Sequence, residues 1–206
     1  MKQKHFIDSH KGVNAIAVIA LIAWYEQWHN TTAWIYLALH GTYGFLWVMK
    51  SRFFGDKSWE APTGLAYGLF IWFGLSLYWV GPWLITSRGF EAPPWYLGLC
   101  ISLYAFGVFF HFTSDIQKHL LLKHRPGALI TEGLWSLSRN PNYFGELLIY
   151  LGFTMLAMHW APLLVLALFI AFIWVPNMIR KDKSLSRYEE FAAYKKRTRM
   201  FIPFII

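Results

Sequence analysis

Six long apolar stretches alternate with short polar connections along this chain of 206 residues. They lie at residues 12–29, 32–49, 64–85, 94–112, 143–160 and 162–178, and each is about as long as a helix must be to cross the apolar core of a bilayer. The pattern predicts an all-α protein, namely a polytopic membrane bundle of about six transmembrane helices with an interfacial segment and a basic C-terminal tail.

Polar residues concentrate in the second half of the chain. We treat residues 1–206 as a single membrane domain in which residues 1–112 hold four N-terminal spans. Residues 113–206 hold the last two spans, a long interfacial stretch and the tail that begins at residue 179. The last two spans are joined by only a few residues, which predicts a tight helical hairpin.

The composition agrees with a membrane protein, since 56% of the residues are apolar, 20% are aromatic and only 15% are charged. Eighteen of the 19 lysines and arginines fall on one side of the predicted spans, and only Arg88 falls on the other. This asymmetry predicts an even number of spans with both termini in the cytoplasm. Topology and anionic lipid therefore explain the net charge of +8, and a nucleic-acid partner is disfavoured.

The run from Arg139 to Glu146 sets charge, amides, a phenol and helix breakers against an apolar stretch. Pro141 disfavours helix at Asn140 but suits the first turn of a helix, whose unbonded N–H groups attract anions such as phosphate. Glu146 then lies one turn inside an apolar span, where a carboxylate is costly unless it is paired or faces a wet cavity. We expect a polar ligand site at a membrane mouth, with a capped helix start as the alternative.

Two pairs of polar residues in this half have two explanations each. Asp115 and Lys118 lie one turn apart if the fourth span continues as a helix, so they could form a weak surface pair or serve a site. Arg125 and Arg139 can bind phosphate through two parallel hydrogen bonds, which lysine cannot do. Anchoring of the positive side of the protein would equally explain both arginines.

In the second span His40, Tyr43, Trp47 and Lys50 recur at steps of three, four and three, which places them on one helical face. The Tyr43 phenol could donate a proton to a ligand carbonyl, with His40 setting its hydrogen bonding. The alternative is that Tyr43 and Trp47 pack between helices while His40 bonds a neighbouring backbone group.

Several other chemistries are disfavoured by the sequence. We expect no metal site, because we find no histidine that forms an i, i+4 pair with an acidic partner. The lone Cys100 precludes an intrachain disulfide. Neither a Gly-x-Ser-x-Gly element, nor a phosphate loop, nor a Gly-x-Gly-x-x-Gly fingerprint is present, so any nucleotide would bind without a Rossmann fold.

Residues from about 100 to 206 resemble the C-terminal half of membrane steroid 5-alpha-reductase-like proteins, especially the short bacterial DUF1295 branch. The resemblance is carried by Ser114-Asp115, Gly133-Leu134-Trp135, Asn142-Tyr143-Phe144-Gly145-Glu146, Tyr194 and Phe201-Ile202-Pro203-Phe204. It implies NADPH in a cytoplasm-facing cavity, a lipid-like enone or other activated alkene that enters from the bilayer, and a bacterial inner-membrane location. The cofactor contacts that it implies are Asp115, Arg125, Arg139, Asn142, Tyr143, Glu146, Arg180 and Tyr194.

We therefore expect an NADPH-dependent reductase of a steroid-like or isoprenoid-like alkene, with Tyr43, His40 and Glu146 as catalytic residues. The same superfamily contains isoprenylcysteine and phospholipid methyltransferases, which share an Arg-His-Pro-x-Tyr-x-Gly element and a later Glu-Glu pair. This chain has Asn140 in place of that histidine and Lys181-Asp182 in place of the acidic pair. The alternatives are a methyltransferase that uses S-adenosylmethionine on a lipid or isoprenylated substrate, and a membrane scaffold without enzymatic activity. The exact substrate and the oligomeric state stay open.

Overall fold

The computed structural model describes residues 1–205, apart from the side chains of residues 57 and 58. All regular structure in this part of the chain is helical, with no strand, which confirms the all-α prediction. The chain forms two compact units, the first made of Met1–Ser102 with Leu151–Leu166, and the second of Leu103–Tyr150 with the chain from Ala167 onward. The predicted division of the chain at residue 112 stays a prediction.

Ten α-helices lie in the described part of the chain. In order they are α1 (Gln3–Trp24), α2 (Thr31–Tyr36), α3 (Thr42–Phe54), α4 (Leu65–Ser76), α5 (Val80–Arg88), α6 (Pro94–His124), α7 (Pro141–Thr154), α8 (Trp160–Phe169), α9 (Val175–Leu185) and α10 (Phe191–Arg197). Single π-helical turns join α2 to α3 and α8 to α9, at Leu37–Gly41 and Ile170–Trp174. Short 3-10 turns lie at Lys57–Glu60, Leu77–Trp79, Gly133–Ser136 and Met155–Ala157.

Four helical stretches are long and apolar enough to cross a bilayer, which supports an integral membrane protein. They are Gln3–Trp24, Leu65–Arg88, Pro94–His124 and Trp160–Leu185. Large apolar side chains stand exposed on three of them, such as Phe70 at 72%, Phe106 at 63% and Phe172 at 75%. Such exposure is costly in water but suits a surface that faces lipid tails.

Two of the six predicted spans do not reach this standard. The helical stretch Thr31–Phe54 is long enough, but it includes His40, Lys50 and Arg52. Pro141–Ala157 has 17 residues. That corresponds to about 25 Å of helix, against about 30 Å for a bilayer core. The count of six spans therefore stays a prediction.

Helix α6 runs for 31 residues and passes the predicted end of the fourth span at residue 112. Its length is about 46 Å, which exceeds the apolar thickness of a bilayer. Asp115 and Lys118 thus lie on this helix, and the interfacial segment is helical as far as His124. The predicted tail also begins as helix, because α9 continues to Leu185.

In the second unit α6 and α7 approach each other at two glycines. A β-carbon on Gly145 would lie 2.2 Å from the backbone nitrogen of His111, and one on Gly107 would lie 2.5 Å from the backbone nitrogen of Ile149. Only glycine allows backbones to come so close, as at other helix contacts in membranes. This contact sets the middle of α6 against the first turns of α7.

Arg139 fixes the chain just before α7 to the C-terminal segment. Its Nε donates to both carboxylate oxygens of Asp182 at 3.0 and 3.1 Å, and its Nη1 donates to the carbonyl of Thr198 at 2.8 Å. Its backbone nitrogen also donates to the carbonyl of Arg199 at 2.8 Å. Because Arg139 is only 5% exposed, this charge-assisted pair is shielded from water.

The C-terminal segment makes three further hydrogen bonds to the same region. The Tyr194 hydroxyl donates to the carbonyl of Trp135 at 2.6 Å, and Ser138 Oγ donates to the carbonyl of Phe201 at 2.8 Å. Asn140 Nδ2 donates to the carbonyl of Met200 at 2.7 Å. The tail is therefore packed onto the second unit, although its sequence is polar and basic.

Substitution of Gly145 by alanine should disrupt the contact between α6 and α7. We expect a loss of at least about 2 kcal/mol in the free energy of unfolding, because the new methyl group would overlap the α6 backbone. Gly98→Ala on α6 is the control, since a β-carbon there meets nothing within 4 Å. Equal thermal unfolding of the two purified variants in detergent would contradict the close contact.

Asp182→Ala should release the C-terminal segment. The pair with Arg139 is mostly buried, with side chains 6% and 13% exposed, so removal of one partner should cost roughly 3 kcal/mol. Limited trypsin digestion should then cleave faster between Lys195 and Arg199 than in wild type. Lys183→Ala removes an exposed neighbouring charge and should leave the digestion rate unchanged. If trypsin digests the Asp182→Ala variant at the wild-type rate, the pair does not hold the tail.

Docking of the tail should weaken at high pH. Burial raises the pKa of Tyr194 to about 12, above its usual value of 10.0. The unfolded side chain therefore ionises first, and the stability that Tyr194 contributes is complete below about pH 10 and is lost as the pH rises towards 12. The difference in unfolding temperature between wild type and Tyr194→Phe should shrink across that window. A difference that stays constant throughout would oppose this assignment.

Candidate functional site

A cluster of four polar side chains lies where α6 and α7 meet in the second unit. His111 and Asp115 lie one turn apart on α6, and Asn142 and Glu146 lie one turn apart on α7. His111, Asp115 and Glu146 are only 2%, 8% and 9% exposed. We call these four residues the polar quartet. The glycine contact between the two helices is what brings the pairs together.

The proton on His111 is assigned by its partner. His111 Nδ1 lies 3.0 Å from the carbonyl oxygen of Asn142, which can only accept, so Nδ1 carries the hydrogen. His111 Nε2 lies 3.9 Å from Asp115 Oδ2, too far for a hydrogen bond but close enough for an ion pair. Nε2 is therefore the ring atom that can gain or lose a proton beside a carboxylate.

This pair corrects one expectation from the sequence. His111 and Asp115 do form the i, i+4 pair of a histidine and an acid that we did not find, because Asp115 was matched with Lys118 instead. Within residues 1–205, however, no three side chains of histidine, cysteine, aspartate or glutamate are grouped so that they could hold a metal ion.

Asn142 offers the quartet an acceptor without a partner. Helix α7 begins at Pro141, as predicted, so Asn142 lies in its first turn. The Asn142 Oδ1 atom is buried and accepts no hydrogen bond. A buried acceptor left in this state costs about 1 to 3 kcal/mol, which a donor on a bound ligand would recover. Glu146 lies one turn further along the same face, where a buried carboxyl can also contact a ligand.

The predicted phosphate-binding arginines differ in their availability. The Arg139 guanidinium is occupied by Asp182 and Thr198, so it serves the fold. Arg125 forms an exposed salt bridge with Glu132. Arg180 is exposed and donates to the side chain of Asn177. Only Arg180 combines exposure with a neutral partner.

The two tyrosines predicted to contact the cofactor lie in different surroundings. Asn177 Nδ2 donates to the Tyr143 hydroxyl at 3.4 Å, which links Tyr143 to Arg180. Tyr194 is 2% exposed and its hydroxyl is bonded to Trp135, so it belongs to the docked tail. Their proposed contacts to a cofactor stay predictions.

Sequence reasoning missed the roles of His111, Lys181 and Asp182. The i, i+4 spacing to Asp115 was the signal for His111. Lys181 Nζ donates to the carbonyl of Arg139 at 2.8 Å and to Asn140 Oδ1 at 2.9 Å, and it lies 4.3 Å from the Trp135 ring centroid. No local pattern indicates these contacts, because the partners are more than 40 residues apart in sequence.

In the first unit His40 belongs to a polarised chain of hydrogen bonds. Trp79 Nε1 can only donate, so it fixes Asn14 Oδ1 as its acceptor at 3.0 Å. Asn14 Nδ2 then donates to His40 Nε2 at 3.0 Å, which leaves the hydrogen on His40 Nδ1. His40 Nδ1 donates to the Tyr36 hydroxyl at 3.0 Å, and that hydroxyl donates to the carbonyl of Tyr78 at 3.1 Å.

The stripe predicted for the second span is a buried face, because the side chains of His40, Tyr43, Trp47 and Lys50 are all buried. His40 does not act as predicted on Tyr43, however, because both of its ring nitrogens bond other side chains. Its ring also stacks on Phe153 at 4.3 Å. The Tyr43 ring instead lies 4.6 Å from Lys11 Nζ. A catalytic role for Tyr43 stays a prediction.

Comparison with known proteins identifies a family for this chain. Residues 70–198 match the family model described as "Protein of unknown function (DUF1295)", and this range covers more than half of the chain. No curated protein and no solved structure matches. The matched range contains the whole polar quartet, Arg139 and Asp182, whereas His40 and Tyr43 precede it. The chain therefore belongs to the DUF1295 family.

Proposed function

We propose that this protein is a membrane-embedded reductase that uses NADPH to reduce an activated alkene in a lipid-like substrate. The observation that carries the proposal is the buried, unpartnered carboxamide oxygen of Asn142, next to a buried glutamate on the same helical face. A membrane-spanning chain has direct access to lipid-like molecules, which agrees with four helices long and apolar enough to cross a bilayer.

The quartet fits the nicotinamide end of the cofactor. A nicotinamide carries a carboxamide with two N–H donors, and Asn142 Oδ1 and the Glu146 carboxylate offer two acceptors one turn apart. For the phosphates, the exposed Arg180 is the predicted arginine that can change partner with least disruption, since its neighbour Asn177 is neutral. When bound, NADPH would supply a hydride.

Reduction of an alkene also requires a proton, and the second unit can hold one at His111. Its Nδ1 is oriented by the Asn142 carbonyl, while Asp115 stabilises the charge that Nε2 acquires on protonation. The imidazole is thus held in one orientation with one exchangeable position. His111 is therefore our proton donor within this unit, and Tyr43 in the first unit is the donor predicted from sequence.

Two rival functions remain as outcomes of the test. In methyltransferases of the superfamily an acidic pair stands near Asp182, but here the Asp182 carboxylate is bound by Arg139. A scaffold without activity would bind no ligand there, so the Asn142 oxygen would stay buried without a hydrogen bond. Neither rival accounts for the quartet as well as a nicotinamide does.

Titration calorimetry of the purified full chain in detergent, with NADPH and separately with S-adenosylmethionine, tests the proposal. Wild type should bind NADPH, and Glu146→Gln or Asn142→Ala should weaken binding roughly 10- to 100-fold, because hydrogen bonds to a charged or buried group are lost. Glu189→Gln makes the same chemical change at an exposed site and should bind like wild type.

Three other results would contradict the cofactor site or the reductase itself. Unchanged NADPH affinity in both quartet variants would remove the quartet from the cofactor site. Binding of S-adenosylmethionine alone would favour a methyltransferase, and binding of neither nucleotide would favour a scaffold. Equal unfolding temperatures of the variants and wild type show that lost binding is not lost folding.

A further inference from the structure

The second unit carries a basic pocket and an apolar groove that share part of their walls. The pocket has a volume of about 210 Å³ and is lined by the basic side chains Lys196, Arg197 and Arg199. The groove has a volume of about 440 Å³ and all its lining residues are apolar. Leu137 and Phe204 line both, so the two spaces are neighbours.

The three basic side chains of the pocket have no acidic partner. Two other arginines of this unit are neutralised, since Arg125 pairs with Glu132 and Arg139 with Asp182. In the part of the chain that the structure describes, Lys196, Arg197 and Arg199 are exposed and enter no salt bridge. The pocket therefore concentrates positive charge, which a bound anion would neutralise.

The groove runs along a helix that is long and apolar enough to span a bilayer. Phe106 on α6 lines it and is 63% exposed, and Phe204 and Ile205 at its other wall are 80% and 71% exposed. The exposure of Phe106 on a helix that can span a bilayer suits a surface that faces lipid tails. A groove of this kind can take an acyl chain that enters sideways from the bilayer.

We propose that this pair of cavities binds one anionic phospholipid of the surrounding bilayer. The phosphate would lie among Lys196, Arg197 and Arg199, and one acyl chain would lie in the groove against Phe106. Opposite charge and apolar burial then act on the two ends of the same molecule. A zwitterionic lipid lacks the net charge, and a phosphate ion lacks the chain. No member of the polar quartet lines either cavity, so the proposal does not depend on the reductase.

Native mass spectrometry of the detergent-purified full chain tests the headgroup. Phosphatidylglycerol should bind about tenfold more tightly than phosphatidylcholine, given three cations near one phosphate. The triple variant Lys196→Gln, Arg197→Gln, Arg199→Gln should lose this preference. The control triple variant Lys123→Gln, Lys183→Gln, Arg187→Gln removes three exposed charges elsewhere on the same unit and should keep it.

A second pair of variants tests the groove. Phe106→Ser should weaken phosphatidylglycerol binding, whereas Phe109→Ser, at a 56% exposed position outside the groove, should not. Inorganic phosphate in large excess should fail to displace the lipid. The proposal is overturned if the two triple variants behave alike, if Phe106→Ser binds like Phe109→Ser, or if phosphate alone displaces the lipid. Because NADPH is absent throughout, failure here leaves the reductase proposal standing.

Discussion

The backbone contact between α6 and α7 is the constraint on which the second unit depends. Two glycines, Gly107 and Gly145, let the helices approach until side chains on one reach the backbone of the other. Only at that distance can His111 Nδ1 donate to the carbonyl of Asn142, which has a second lone pair beyond its helical bond. The same approach fixes which face of α7 is buried. Loss of either glycine should therefore separate the polar pair on α6 from the polar pair on α7, because this backbone contact is what brings them together.

The fold uses some of its charged residues and leaves others available. Hydrogen bonds hold the start of α7 to the C-terminal segment through Arg139, Lys181 and Asp182. Arg139 begins the run that looked most like a ligand site, yet its guanidinium is occupied by Asp182 and Thr198. One acceptor of the quartet is left for a ligand, namely the carboxamide oxygen of Asn142. The candidate site is thus centred on an oxygen atom that folding leaves unsatisfied.

Local features were predictable from sequence and distant pairings were not. The helix start at Pro141 follows from proline geometry, and the buried face with His40 follows from helical period. The bond from His111 to Asn142 joins residues 31 apart, and no periodicity predicts it. For His40 the spacing allowed Tyr36, one turn before it, as well as Tyr43, one turn after it. The choice was decided by Asn14 on α1, which fixes the ring tautomer from outside the helix.

The two buried histidines differ in their second ring nitrogen. His40 accepts from Asn14 and donates to Tyr36, so any proton exchange there would break a chain of four hydrogen bonds that ends on a backbone carbonyl. His111 uses one nitrogen to fix its orientation and presents the other to Asp115. Proton transfer at His111 Nε2 would take place beside a carboxylate that stabilises the charged ring, whereas proton transfer at His40 would require a hydrogen bond to break. On that ground we assign the proposed chemistry to His111, which also lies within the matched family range, and a structural role to His40.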